Sequence, residues 1–455
     1  MTRPSPGMRL CAGLLCLFLL LVCTVLPVGA ETAPAPESRE VGAACLACLD
    51  NNQVLYEKDP HTMLYPASTV KIMTGLLCCR ALAGRLDERV TLSSSMLSGV
   101  TGRSLHLAVG ETLSVRDLLY AALCGSYNDA CCALAALVSG SQADFVGEMN
   151  REAARLGASD TRYINPTGVH DDGMLTTLHD TVAVAREAYG NELFMTITSA
   201  SAYTIPATNA SPERVINNRN ALLSDTSQVY HNGWCRGMSA GMTDEGGWCV
   251  VTVYERGGAS LLCVVMQGAD VPSGVNVPAY LYVNSLLSWA RSQYGLVEVF
   301  APGTALDTVR VGMTGLSSSK TKLITADSLS VYLPLDVTAD SLSTSWAYAG
   351  KWMDGGLTAP LMQGETVGFA TVRYNGEVVG TVPLTVSDSF KRNGFMGFMT
   401  GFRAYLGSRA FLIALICFCA LLALYVPLVR KSGGRYRART WKGRRRRLRR
   451  LTFRK

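Results

Sequence analysis

Two residues three positions apart open the chemistry. In YPASTVKIMTG, Ser68 and Lys71 stand at the start of an apolar periodic stretch. At a helix N-terminus that spacing puts both side chains on one face, within reach of each other. A serine hydroxyl is a poor nucleophile until a neighbouring base takes its proton, and a lysine can be that base when burial and nearby donors lower its pKa. The amide ends of the helix would favour negative charge developing beside Ser68. The spacing alone is weak, because Ser317 and Lys320 repeat it in a strand-like region; its plainest reading is a helix start with an exposed lysine. Context strengthens it: Pro66-Ala67 precede the serine, and a second polar cluster, Ser126-Tyr127-Asn128 in CGSYNDA, follows 58 residues later in a turn between helical patterns.

The elements that must hold these groups are legible in outline. Val70, Ile72, Met73, Leu76 and Leu77 give the helix after Pro66 a broad apolar face. Residues 112–158 read as helices, with Ser114/Asp117 and Ser141/Asp144 as capping pairs. Two short apolar runs around Asp50-Asn51-Asn52 predict a hairpin, and WCVVTVYE and LLCVVMQG, separated by RGGAS, predict two more strands before a helix over 276–294. NPTG at 165–168 reads as a turn. Beyond Val299 short strand-like runs alternate with turn residues, Asn375-Gly376 fitting a two-residue hairpin, and the amphipathic stretch FKRNGFMGFMTGFRAYLG follows.

Both ends carry targeting signals. Arg3 and Arg9 before an apolar run and Val28-Gly29-Ala30 predict a signal peptide over 1–30, and residues 31–40 a disordered polar leader. Residues 410–429 hold no charge and predict a membrane span, assigned to 409–429 with its flank. The 26 residues after it hold fourteen Lys/Arg and no acid, which predicts a cytoplasmic tail, 430–455. The net charge of +7 less the tail's +14 leaves −7 for residues 1–429, and −9 for 31–429 without Arg3 and Arg9. That balance argues against nucleic acid as a partner of the exported region and leaves anionic lipid as the tail's nearest one. Of the fifteen cysteines three fall in the signal and two in the span, and the other ten mostly occupy small apolar positions and read as buried thiols; Cys45-x-x-Cys48 lacks a second pair or a nearby His pair to complete a zinc site. The five histidines show no metal spacing and read as solvated loop residues, and no glycine-rich phosphate loop is present.

Taken in order, YPASTVK, GSYNDA, YINPTGVHDDGMLTTLHD and GMTDEGGWCVV resemble the D-alanyl-D-alanine carboxypeptidases of the penicillin-binding protein superfamily. The resemblance implies an α/β (α+β) β-lactamase/transpeptidase-like catalytic domain, an antiparallel sheet flanked by helices, over 40–295. A small β-sandwich domain over 297–390 and a C-terminal transmembrane helix would follow. It implies a cofactor-free acyl-enzyme on Ser68 with Lys71 as base and Ser126 as proton relay. The Asn128 amide would hold Lys71 and substrate backbone, and the N–H groups of Ser68 and Met242 would form the oxyanion hole. The implied partner is a peptidoglycan stem peptide ending in D-Ala-D-Ala, with β-lactams as candidate ligands, outside a bacterial cell membrane.

One departure stands out. The family's third motif is Lys-Thr-Gly, and the aligned substrate-binding residues here are Ser239, Ala240 and Gly241, followed by Met242. A second cation expected from the next strand would be replaced by Ser260 in GGASLLCVV. Hydroxyls can bind a carboxylate, but neutral donors are about half as strong as charged ones. Strand alternation sends Arg236 to the opposite face from Ser239 unless a bulge near Gly237 turns it. The sequence therefore supports a carboxypeptidase that anchors its substrate with hydroxyls. Its alternatives are a catalytically silent peptidoglycan- or partner-binding relative and a hydrolase of other substrates.

Overall fold

The computed structural model describes residues 33–224, 229–271, 276–315, 319–353 and 355–428. The signal-peptide region, Ser317 and the basic tail lie outside the described residues. The described residues divide into two compact units, one falling within 1–299, 329–344 and 371–381, the other within 300–328, 345–370 and 382–455.

In the first unit, strands β1 (Val41–Cys48), β2 (Val54–Lys58), β3 (Cys235–Thr243), β4 (Gly247–Arg256) and β5 (Ala259–Gly268) form an antiparallel sheet in the order β2-β1-β5-β4-β3. Its central strands are apolar almost throughout because both faces are covered. Ala43, Cys45, Val251 and Val264 face one core cluster; Ala44, Leu46, Val250 and Val265 face the other. The first cluster is completed by helices α1 (Val70–Leu82), α2 (Val115–Leu123), α3 (Asn128–Ser139), α4 (Gln142–Arg155), α5 (Leu178–Tyr189) and α6 (Glu192–Ser199), the second by α7 (Pro278–Gln293). Helix α1 runs through the first cluster and buries residues on every side, as a helix enclosed by others must. Both serine caps form: Ser114 accepts from the Asp117 N–H with a complete capping box, and Ser141 accepts from the Asp144 N–H.

Because β1 alternates, Cys45 and Cys48 enter different clusters and do not meet. Every cysteine between 45 and 263 is a buried free thiol, and burial pushes Cys45 up to about 12 and Cys48 to about 11. The expected disorder of the leader does not extend to its described part. Ala33 accepts from the Trp289 indole at 2.8 Å and Pro36 from the Tyr282 hydroxyl at 2.8 Å, which lays residues 33–36 along α7.

Residues 294–386 are β-rich, and Asn375 and Gly376 take the positive φ of 50° and 87° that a two-residue hairpin demands. In the second unit Ala305–Gly312 pairs antiparallel with Ser319–Thr325. A helix over Gly394–Leu406 precedes a 20-residue apolar helix, Arg409–Leu428, of mean hydropathy 2.7 and with none of its surface buried. That length matches a bilayer's hydrocarbon core.

Candidate active site

Ser68 lies in a 3₁₀ turn, Ala67–Thr69, that feeds α1. Ala67 holds φ +46° and Ser126, in the turn before α3, φ +58°; non-glycine residues in this region mark places where tertiary structure overrides local preference. Ser68, Lys71, Ser126 and Asn128 line one cleft of about 320 Å³, together with Thr167, Gly168, Gly241 and Met242. That is at the lower end of the range for small-molecule sites. The four residues expected to do chemistry are therefore brought together.

Lys71 is 4% exposed. Its ammonium nitrogen donates to the Thr167 carbonyl at 2.6 Å and lies 3.4 Å from Ser68 Oγ. Burial pushes its pKa below the ordinary lysine value, and the positive fields of Arg103 and Arg219 act in the same direction. The Thr167 carbonyl is aimed by Asn165, whose Oδ1 accepts from the Thr167 N–H, the Thr167 hydroxyl and the Gly168 N–H, while its Nδ2 donates to Val169 O. NPTG is thus more than a connecting turn. A Cβ on Gly168, where φ is +82°, would fall 1.9 Å from the Ala67 carbonyl oxygen, so only glycine lets this loop close on the nucleophile turn.

Asn128 donates through Nδ2 to Thr101 O at 2.7 Å, and its buried Oδ1 has no protein partner. That leaves an acceptor free for an N–H. Strand β3 is the sheet edge and passes close behind Ser68: a Cβ on Gly241 would sit 2.2 Å from Ser68 Oγ.

The third-motif positions depart from expectation. Ser239 is buried, and its hydroxyl donates to the Ser68 carbonyl at 2.8 Å. A hydroxyl has one proton to donate, so Ser239 braces the nucleophile turn and has none left for a substrate carboxylate. Ala240 turns its side chain into the core beyond the sheet. Ser260 is not at the site. The β4–β5 register sets it opposite Glu255, whereas Gly241 pairs with Cys249 at the other end of β4, and Ser260 instead accepts from the Tyr189 hydroxyl at 3.1 Å. A bulge does form between Arg236 and Ser239, yet the Arg236 guanidinium donates to Gly233 O and Cys235 O and lies 3.8 Å from Glu255.

Cations reach the cleft from elsewhere. Arg219 is fixed by its N–H to Cys124 O at 2.9 Å and flanked by Asn218, donating to Thr198 O and Ala200 O, and Asn220, donating to Gly237 O. Its guanidinium sits 5.1 Å from the Trp248 ring. Burial lowers its pKa, and Arg103 lowers it further. Arg103 lines the same cleft, 4.5 Å over the Tyr127 ring. Asp244 and Glu245 line the cleft as well. His170, expected on a solvated loop, is half-buried there, its Nδ1 3.6 Å from Glu245 and its Nε2 3.1 Å from Asp172. Sequence reasoning missed these residues because loop closure brings them in, although an arginine between two asparagines in NNRN is a local sign of a held side chain.

The family described as "D-alanyl-D-alanine carboxypeptidase" matches residues 30–270, and "Penicillin-binding protein 5, C-terminal domain" matches 294–392. The chain belongs to the D-alanyl-D-alanine carboxypeptidases, the low-molecular-weight penicillin-binding proteins. Among its carboxypeptidase relatives, DacF of Bacillus subtilis is 27% identical over 80% of this chain and 89% of its own length. DacC of Escherichia coli is 28% identical over 84% and 91%. The fold of penicillin binding protein 5 from Haemophilus influenzae superposes with a TM-score of 0.61 at 22% identity, covering 79% of this chain and all of that one. As a member of the carboxypeptidase family, the chain keeps the Ser68/Lys71 pair and the Ser126/Asn128 pair in one cleft, while its third-motif strand contributes no side-chain cation there.

Proposed function

We propose that this chain is a serine-type carboxypeptidase that releases the terminal D-alanine from peptidoglycan stem peptides ending in D-Ala-D-Ala. The observation that carries the reading is the Lys71 nitrogen, buried, depressed in pKa and within 3.4 Å of Ser68 Oγ. A lysine so placed is neutral over a wider pH range than an exposed one and can accept the serine proton.

The substrate lies along the open edge of β3, its scissile carbonyl against Ser68 and its oxygen between the backbone N–H groups of Ser68 and Met242. Ser68 Oγ attacks the carbonyl carbon as its proton passes to Lys71. The tetrahedral intermediate collapses, the C–N bond breaks, and Ser126 passes a proton from Lys71 to the departing D-alanine amine. Water then attacks the Ser68 ester, giving the shortened peptide acid and the free serine. Asn128 Oδ1 accepts an N–H from the substrate backbone or from Lys71. Arg219 supplies the positive charge for the terminal carboxylate that Ser239 lacks.

In this reading residues 40–295 are the catalytic domain and 297–390 a β-rich spacer. The helix Arg409–Leu428 holds the enzyme in the cell membrane, with the catalytic domain outside and the basic tail inside. The test is D-alanine release from a pentapeptide-bearing peptidoglycan fragment by the detergent-solubilised full chain beside Ser68→Ala. Release that vanishes in the variant supports the reading. No release from either, with the fragment still bound, favours the silent binding relative, for which the hydroxyl at position 239 is the motive.

A further inference from the structure

Beside Lys71, two arginines and two carboxylates line the cleft: Arg103 and Arg219, Asp244 and Glu245. Among the described residues neither Arg103 nor Arg219 forms an ion pair, yet each stands in the other's field. Two unpaired guanidiniums facing one cleft repel each other, and a fold that fixes them in place lowers its free energy when an anion enters.

Arg103 is fixed along its whole length. Its carbonyl accepts the Asn128 N–H at 2.8 Å, and Asp129, the next residue of α3, takes the Ser104 hydroxyl and the Leu105 and Leu107 N–H groups on its buried carboxylate. The guanidinium donates from Nε to Gly125 O at 2.8 Å, and its central carbon lies 4.5 Å from the centre of the Tyr127 ring. Of its five N–H donors one goes to Gly125 and one to the Tyr127 oxygen at 3.4 Å, which leaves three, the Nη1 pair among them, without a partner among the described residues. A cation held this way loses little freedom on meeting a carboxylate.

We propose that Arg103 is a substrate-binding residue, the second half of an arginine clamp with Arg219 that grips the terminal carboxylate of the stem peptide. The clamp does from the loop before Ser126 what a third-motif lysine would do from the strand. The proposal rests on the carboxypeptidase reading and is tested apart from it.

Binding of an N-acetylated tripeptide ending in D-Ala-D-Ala, and of its C-terminal amide, is measured on the detergent-solubilised full chain carrying Ser68→Ala, with and without Arg103→Gln. The expected result is about tenfold weaker binding of the acid, as for loss of one charge-assisted contact, with the amide unchanged and Arg103→Lys intermediate. Unchanged binding of the acid overturns the proposal. So does equal loss on acid and amide, which would make Arg103 a brace for the loop, and so does failure of the Ser68→Ala chain to bind either peptide. D-alanine release by the unmutated chain separates the two readings. Release with an Arg103-independent acid preference sinks the clamp and keeps the enzyme; an Arg103-dependent preference without release does the reverse.

Discussion

The hydroxyl of Ser239 is bonded to the backbone carbonyl of Ser68 at 2.8 Å. The residue at the expected cation position therefore acts on the nucleophile's backbone, and substrate charge must be met by other groups.

It follows that Ser239→Ala acts on stability and turnover more than on substrate affinity. Losing one buried hydrogen bond costs about 1 kcal/mol, and the freed Ser68 carbonyl lets the nucleophile turn relax. We expect a melting temperature lower by a few degrees, a several-fold fall in kcat and a KM within twofold of the parent. A tenfold rise in KM at constant kcat would instead place the hydroxyl on the substrate.

Two glycines let neighbouring chain approach the nucleophile turn. In Gly168→Ala the new methyl meets the Ala67 carbonyl at 1.9 Å from a left-handed backbone, so the loop and nucleophile turn must separate. The expected cost is at least about 2 kcal/mol of stability, with loss of D-alanine release. In Gly241→Ala the methyl falls 2.2 Å from Ser68 Oγ and 2.5 Å from Ser68 Cβ; side-chain rotation moves Oγ but not Cβ, so β3 and the nucleophile turn must also part. That variant should likewise lose stability, and at least a hundredfold in kcat/KM. A parental melting temperature in either variant would refute the close approach.

What the sequence made readable was local. Ser68 and Lys71 are three residues apart, Ser126 and Asn128 share one turn, and Ser114 and Ser141 cap helices through contacts three residues away; such geometry depends on the chain nearby. The five-stranded sheet was readable only in pieces. Ser260 was misplaced because strand register is set by pairing across the sheet, and a serine at the start of β5 falls opposite Glu255, far along β4 from Cys249, the partner of Gly241. Arg103, Arg219 and His170 were not readable, since each enters the cleft through a loop closed by residues distant in the chain. Asp129 pins the first loop, Asn218 and Asn220 the second.

Asn165 supports the base without touching it. Its Oδ1 takes three donors from Thr167 and Gly168, and it is Thr167 that faces Lys71. Asn165→Ala should therefore lose about 2 kcal/mol of stability, the cost of leaving such donors unmatched, and 10- to 100-fold in kcat. Asn165→Asp, which keeps the acceptor, should recover most of both. Failure of Asp to rescue, with Ala folded, would show that the Nδ2 contact to Val169 O matters more.

The pH profile carries the sign of the Lys71 environment. The base must be neutral, so kcat/KM should rise with pH as Lys71 loses its proton. The midpoint of that limb should lie below the ordinary lysine value of about 10.4, because burial first, and the fields of Arg103 and Arg219 with it, disfavour the charged form. On folding, such a lysine costs stability below its folded pKa, where the unfolded chain carries the same charge in water; the cost fades as pH rises through the folded pKa toward the ordinary value. Removing a positive neighbour raises the pKa, so Arg103→Gln should move the ascending limb to higher pH on the acid and on an uncharged ester substrate alike. A limb that stays in place, or moves down, would mean that the Arg103 field does not reach the base.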